Sequence, residues 1–290
     1  MKIFETAFAK INIFLDVTRR MPDGYHEIKS VMQTVDLSDR LEMDCRRSEH
    51  TEISISVECG DAVPADENNL VCRAVLSYLR RAGMSAEVRI RLYKRIPVGA
   101  GLGGGSADAA AALRGMDRAF SALGDGELAA LASEIGSDVT FCLSGGTALC
   151  LGRGERIETA PAFSGVHTVV AIGEGRVSTP AAYRALDALY NDFADGAPTV
   201  GEERFSELWS ALESGRIPAT LYNIFENAVV PTLPEIAEIK SSLLELGAVR
   251  ALMSGSGSAV FGFFSDEASA RAAARALSDN GVFAEYAKTV

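Results

Sequence analysis

Lys94-Arg95-Ile96-Pro97-Val98-Gly99-Ala100-Gly101-Leu102-Gly103-Gly104-Gly105-Ser106-Ala107 is the stretch on which the reading of the fold turns. Before it, 87–93 alternates, with Val88, Ile90 and Leu92 pointing one way, as in a half-buried strand. After it, five alanines within 107–112 followed by Leu113 predict a helix to about residue 120, with Ser106 as the expected N-cap. The order is strand, glycine loop, helix. Glycine at 99, 101, 103, 104 and 105 removes the Cβ atoms, so the backbone is free to take positive φ and approach a ligand closely. The loop also feeds a helix N-terminus, where unpaired N–H groups and the positive end of the dipole favour an anion such as a polyphosphate.

Two familiar glycine motifs fit poorly. Gly99-x-Gly101-x-x-Gly104 has dinucleotide-binding spacing, but continued helix stands where an acidic residue should end the next strand. Gly99-x-x-x-x-Gly104-Gly105-Ser106 has P-loop spacing, with glycine where the phosphate-binding lysine belongs. A flexible connection without a ligand is the plain alternative, although so dense a glycine cluster costs conformational entropy.

Composition narrows the class. A 290-residue chain with 48% hydrophobic and 23% charged residues is that of a globular protein, in one large unit or two lobes. Its net charge of −11 argues against a nucleic-acid partner, so an anionic ligand has to be held locally. Lys10 and Asn12 interrupt any leader-like run, and no apolar run reaches the roughly 18 residues of a membrane span. A cytoplasmic protein with no membrane association is expected. Cys45, Cys59, Cys72, Cys142 and Cys150 are odd in number and scattered, reading as small hydrophobes rather than a disulfide framework. With three dispersed histidines, His26, His50 and His167, no metal centre is expected.

Elsewhere, 3–17 and 53–57 read as strands and 69–81 as a helix ending at Gly83, with a second helix at 127–134. Beyond a strand at 147–151 and a turn at Gly152-Arg153-Gly154, strands are expected at 167–172, 248–253, 258–264 and 283–288. Helices are expected at 180–190, 203–213, 221–229, 233–246 and 267–278. Without regular βαβ alternation, the class is α+β, with a lobe boundary near residue 160.

The run Pro97-x-x-x-Gly101-Leu102-Gly103-Gly104-Gly105-Ser106 before an alanine-rich helix resembles the phosphate loop of the GHMP kinases. Ala9-Lys10-Ile11-Asn12-Ile13 and Met253-Ser254-Gly255-Ser256-Gly257-Ser258 agree with the same superfamily. Asp23-Gly24-Tyr25-His26, Asn69-Leu70, Gly136-Ser137-Asp138-Val139 and Thr179-Pro180 resemble the branch whose acceptor is a cytidine-diphosphate-linked methylerythritol, and the likeness runs nearly end to end. It implies a two-lobed fold: 1–159 an ATP-binding lobe like ribosomal protein S5 domain 2, and 160–290 a ferredoxin-like C-terminal lobe. ATP and Mg²⁺ are implied, with a small-molecule acceptor and a monomer or weak homodimer.

The resemblance also implies residue roles. Asp138 accepts or orients the acceptor's proton, and Lys10 favours the ionised carboxylate and offsets charge at the transferring group. Asn69 and Lys94 lie near the adenine. Pro97, Val98, Gly99, Ala100, Gly101, Leu102, Gly103, Gly104, Gly105, Ser106 and Ala107 follow the phosphates. Asn12 contacts the acceptor, Tyr25 and His26 meet the cytidine, and Tyr183 stacks on it four residues after Thr179, which belongs to the same subsite. The residues alone leave blander roles open: Asp138 as a helix cap, Lys94 as a surface charge, Tyr183 as core or rim. The Pro22-Asp23-Gly24 turn should present Tyr25 and His26 from a loop rather than bury them. Two rival functions also stay open, a sister kinase for another small alcohol and a nucleotide-binding module without catalysis.

Overall fold

The structure is a computed structural model that describes every residue except 59–62, 65, 195, 197 and 199 and the side chain of 200. Cys59 lies outside the described residues. Along the chain run β1 (Lys2–Arg20), β2 (His26–Arg47), β3 (Glu52–Glu58), α1 (Leu70–Arg81), β4 (Ala86–Tyr93), α2 (Gly104–Phe120), α3 (Asp125–Ile135), α4 (Ser137–Ser144), β5 (Thr147–Gly152) and β6 (Arg156–Thr159). Then come β7 (His167–Ile172), α5 (Thr179–Leu189), a 3₁₀ turn at Asn191–Phe193, α6 (Val200–Glu213), β8 (Tyr222–Asn223), α7 (Glu226–Val229) and α8 (Glu235–Glu245). β9 (Arg250–Met253), β10 (Val260–Phe264), α9 (Glu267–Asp279) and β11 (Phe283–Lys288) complete the α+β chain.

Two compact units interleave in sequence. The first holds Met1–Ala9, Ser38–Val98 and Gly103–Gly145; the second holds Lys10–Leu37, Gly99–Leu102 and Gly146–Val290. The units are not consecutive segments because β1 and β2, at 19 and 22 residues, far exceed the usual 3–10 and contribute to both.

In the first unit β4 pairs antiparallel with β2 over Arg40–Arg47 and parallel with β3. Helix α1 packs on β3 and α2 on β2, with α3 and α4 packed against those helices. Val88, Ile90 and Leu92 are buried on the strand side, and Ala107, Ala109, Ala110, Ala111 and Ala112 on the helix side. Side chains this small let α2 pack closely on α1 and α4, which is how a stiff helix comes to stand directly after the glycine loop.

In the second unit β5 pairs antiparallel with β2 over residues 28–33, β6 pairs with β5, and β8 lies parallel to β1. A separate antiparallel sheet has the order β11-β7-β10-β9, with α8 and α9 packed on it. One expected helix fails here. Residues 221–229 divide into β8 and the single turn of α7, because the Asn223 amide makes bonds that a helix would preclude. Its Oδ1 accepts from the Phe225 N–H at 3.0 Å and its Nδ2 donates to the carbonyls of Met253 and Gly255. No described helix is long and apolar enough to cross a membrane.

β1 carries a buried carboxyl, Asp16, 6% exposed. Burial raises it from 3.8 to about 6; the Val17 N–H bond opposes the rise, Glu202 adds to it and Lys29 opposes it. Its folded value lies above that of the unfolded chain. The stability it contributes is therefore full below about pH 4 and is lost as the pH rises through about 6, by about 3 kcal/mol at most. Asp16→Asn should keep the bond from Val17 and gain stability at pH 8 relative to pH 4. Urea unfolding of both proteins at the two pH values checks this, and an unchanged pH dependence would refute it.

Candidate active site

The glycine loop takes left-handed backbone at alternate residues, with φ of +69° at Gly99, +82° at Gly101 and +69° at Gly103. At Gly101 space is closed as well, since a Cβ would stand 2.3 Å from the Ser254 carbonyl oxygen. Three successive loop carbonyls are held within the second unit. The oxygen of Ala100 accepts from the Ala259 N–H (3.0 Å), that of Gly101 from Ser254 Oγ (3.0 Å), and that of Leu102 from the Lys10 N–H (2.9 Å). A trans peptide sets its C=O and N–H on opposite sides, so the N–H groups of Gly101, Leu102 and Gly103 turn away from these donors.

Ser106 is not the N-cap. Helix α2 begins at Gly104, three residues before the expected start at Ala107, because Gly103 adopts the left-handed conformation that turns the chain into it, and no side chain caps the end. The first intrahelical bond runs from the Ala107 N–H to the Gly103 carbonyl, at 2.8 Å. The N–H groups of Gly104, Gly105 and Ser106 precede it and have no intrahelical acceptor. With the Ser106 hydroxyl in the same turn, the helix start is a donor surface suited to phosphate oxygens.

Lys94 is not a surface charge. Its side chain is 5% exposed, and Nζ donates to Asp39 Oδ2 and, at 2.7 Å, to Asp108 Oδ2. Burial pulls the ammonium down, but the two carboxylates outweigh it and raise its affinity for the proton. Asp108 is pushed up by burial against the pull of Lys94, and its Oδ1 is buried without a hydrogen-bond partner. Asn69 caps α1: Oδ1 accepts from the Val71 N–H at 2.9 Å and Nδ2 donates to the Pro64 carbonyl at 2.7 Å. Its amide thus serves the helix end, whatever else it meets.

Lys10 is buried in β1, where Nζ donates to Asn12 Oδ1 at 2.7 Å. Asn12 Nδ2 donates to Ser30 Oγ (2.8 Å), which donates to the Phe14 carbonyl (2.8 Å). The period of the strand places Lys10 and Asn12 on one face, and Ser30 fixes the amide so that it presents its oxygen to the ammonium. The glycine turn at 254–257 lies alongside: a Cβ on Gly255 would stand 2.9 Å from the Gly101 carbonyl oxygen and 3.4 Å from Lys10 Nζ. Thr179, first residue of α5, meets Ser256 Oγ at 2.9 Å through its hydroxyl.

The turn at 22–24 presents only one of its two aromatic residues. Tyr25 is 57% exposed, with the Arg153 guanidinium 3.9 Å above its ring. His26 is buried, because it is already the first residue of β2 and its ring stacks on Tyr183, centroids 4.6 Å apart and planes 26° from parallel. Its Nε2 is 2.6 Å from Asp187 Oδ1, and Phe225 meets Tyr183 edge-on. Asp187 also lines an open depression of ≈ 450 Å³ with Arg20, Arg184 and Asp192. Asp187, Arg153, Asp39 and Asp108 escaped the sequence reading, since nothing in their local sequence distinguishes them from surface charges.

Asp138, in the first unit, is the second residue of α4 and half-buried; the N-cap is Gly136, so the carboxylate is not the cap that its neighbours suggest. Lys10 belongs to the second unit. Among the described residues no group of three or more His, Cys, Asp or Glu is placed to hold a metal ion.

The family models agree with this arrangement. That for the GHMP kinases N terminal domain matches residues 69–146, and that for the GHMP kinases C terminal domain matches 206–282. The 4-diphosphocytidyl-2-C-methyl-D-erythritol kinase of Gloeobacter violaceus is 41% identical over 93% of this chain and 88% of its own. That of Listeria innocua is 41% identical over 90% and 87%. A crystal structure of 4-(cytidine 5'-diphospho)-2C-methyl-D-erythritol kinase, 36% identical, matches 99% of both chains with a TM-score of 0.82. Homoserine kinase from Cytophaga hutchinsonii shares the fold, with a TM-score of 0.71 at 20% identity. The chain belongs to the 4-diphosphocytidyl-2-C-methyl-D-erythritol kinase family of the GHMP kinases.

Proposed function

We propose that the protein transfers the γ-phosphoryl group of ATP to the 2-hydroxyl of 4-diphosphocytidyl-2-C-methyl-D-erythritol, as a cytoplasmic enzyme of non-mevalonate isoprenoid precursor biosynthesis. The observation that carries the reading is the row of N–H groups at Gly104, Gly105 and Ser106 without intrahelical acceptors, in a chain whose near full-length relatives bear that acceptor's name. Residues 1–159 serve as the ATP-binding lobe and 160–290 as the C-terminal lobe.

In this mechanism the loop N–H groups hold the phosphates while the acceptor oxygen forms its bond to the γ-phosphorus and the bond to the leaving ADP oxygen breaks. Asp138 takes or orients the hydroxyl proton, and Lys10, held by Asn12, offsets the charge on the transferring group. The loop carries no cation of its own, so the phosphates need one from elsewhere. Mg²⁺ fits as a companion of the nucleotide: it would neutralise phosphate oxygens, with the Ser106 hydroxyl the hard oxygen donor in the first turn of α2. Tyr25 is exposed enough to offer a ring face to the cytosine, and His26 with Tyr183 forms a second aromatic wall.

ADP release with this acceptor and with mevalonate or homoserine tests the reading. Turnover only with the cytidine-bearing alcohol is expected; ATP binding without turnover would leave a nucleotide-binding module instead. Tyr25→Ala should raise the KM for the acceptor by about tenfold or more, the worth of a stacked base, and leave that for ATP near its original value. Equal rises in both would refute the stacking role.

A further inference from the structure

We propose that Asp108 is a positioning residue for nucleotide binding, tying both ends of the phosphate loop, through Lys94 and Asp39, to one buried charge cluster in the first unit. The proposal rests on the reading of the loop as the nucleotide's seat.

The cluster joins segments that the loop separates. On the entry side Asp39 Oδ1 accepts from the N–H groups of Arg95 and Ile96, the two residues that lead into Pro97. Asp39 Oδ2 accepts from Lys94. On the exit side Asp108 is the fifth residue of α2, one turn beyond Gly104, Gly105 and Ser106, and its Oδ2 accepts from the same ammonium at 2.7 Å. Gly104 allows the two sides to meet. A Cβ there would stand 3.0 Å from Ile96 Cγ2 and 3.3 Å from Lys94 Nζ.

Charge balance separates this role from a merely stabilising one. Lys94 with Asp39 alone would be a neutral pair; Asp108 adds a second buried carboxyl whose Oδ1 has no hydrogen-bond partner. Such a group costs stability rather than adding to it. What it supplies is geometry: the donor-bearing turn of α2 is held at a set distance from the strand that enters the loop. Lys94 then acts on the nucleotide through the loop's shape rather than by reading the base.

The test uses Asp108→Asn, which leaves Lys94 balanced by Asp39 and is expected to fold. In the ADP-release assay its KM for ATP should rise about tenfold, the equivalent of one charge-assisted hydrogen bond, with kcat and the acceptor KM retained. Inorganic tripolyphosphate, used as a competitor of ATP, has phosphates but no base, and its inhibition constant should rise by the same factor. Asp108→Ser removes the charge with a smaller side chain and should give the same shifts, so the test survives if either variant misfolds. An unchanged KM for ATP, or a raised KM with unchanged tripolyphosphate inhibition, overturns the proposal. Failure of the wild-type protein to bind ATP at all would instead overturn the reading beneath it, and the proposal with it.

Discussion

Asp138→Ala is expected to remain folded and to lose phosphoryl transfer by roughly 10²–10⁴-fold, the usual contribution of a positioned acid or base. Asp138 is half-buried in the first turn of α4, the cap is Gly136, and a first-turn carboxylate is worth about 0.3–1 kcal/mol to a helix. That helix-end contribution corresponds to a Tm drop of about 0.6–4 °C. Thermal unfolding and ADP release on the same preparation separate the two effects. A folded variant with near-normal turnover would remove Asp138 from the mechanism.

Gly101→Ala should damage both stability and nucleotide binding. The residue sits at φ +82°, and the new methyl would meet the Ser254 carbonyl oxygen at 2.3 Å and that of Gly257 at 3.1 Å. Both obstacles are backbone, which cannot swing aside as the end of a flexible side chain does. Left-handed strain alone costs about 1–3 kcal/mol. Relief requires the loop to shift, which breaks the Gly101 bond from Ser254 Oγ and re-aims the N–H groups behind it. A rise of at least 10²-fold in the KM for ATP is expected, equivalent to about 2.7 kcal/mol, or two charge-assisted hydrogen bonds. Gly99→Ala is the control: φ there is also positive, at +69°, but no atom lies within 4 Å of the added methyl. Equal effects from the two variants would show that the close approach at Gly101 is irrelevant.

Much of the fold was legible because its signals are local. The alternation of Val88, Ile90 and Leu92 marked β4, and the alanine run marked α2, whose buried face it forms. The glycines at 99, 101 and 103 announced a left-handed loop because glycine takes that backbone without the steric cost that a side chain adds. The start of α2 was misplaced by three residues: serine is a good cap in general, but Gly103 turns the chain earlier. Residues 221–229 looked helical by their apolar spacing, yet the Asn223 amide reaches the carbonyls of Met253 and Gly255, some thirty residues away. No window on the sequence contains that competition.

The site divides in the same way. The sequence by itself determined the glycine loop, its place before a helix and the residue types that make it a phosphate cradle, since backbone freedom and helix polarity are properties of neighbouring residues. Only the tertiary structure decided which charges are buried and which partners they have: Lys94 became an internal cation because Asp39 and Asp108, 55 and 14 residues away, converge on it. His26 became a buried ring because Asp187 and Tyr183, more than 150 residues on, close over it. Burial and pairing depend on what the folded chain brings into contact, and those contacts are made between residues far apart in sequence.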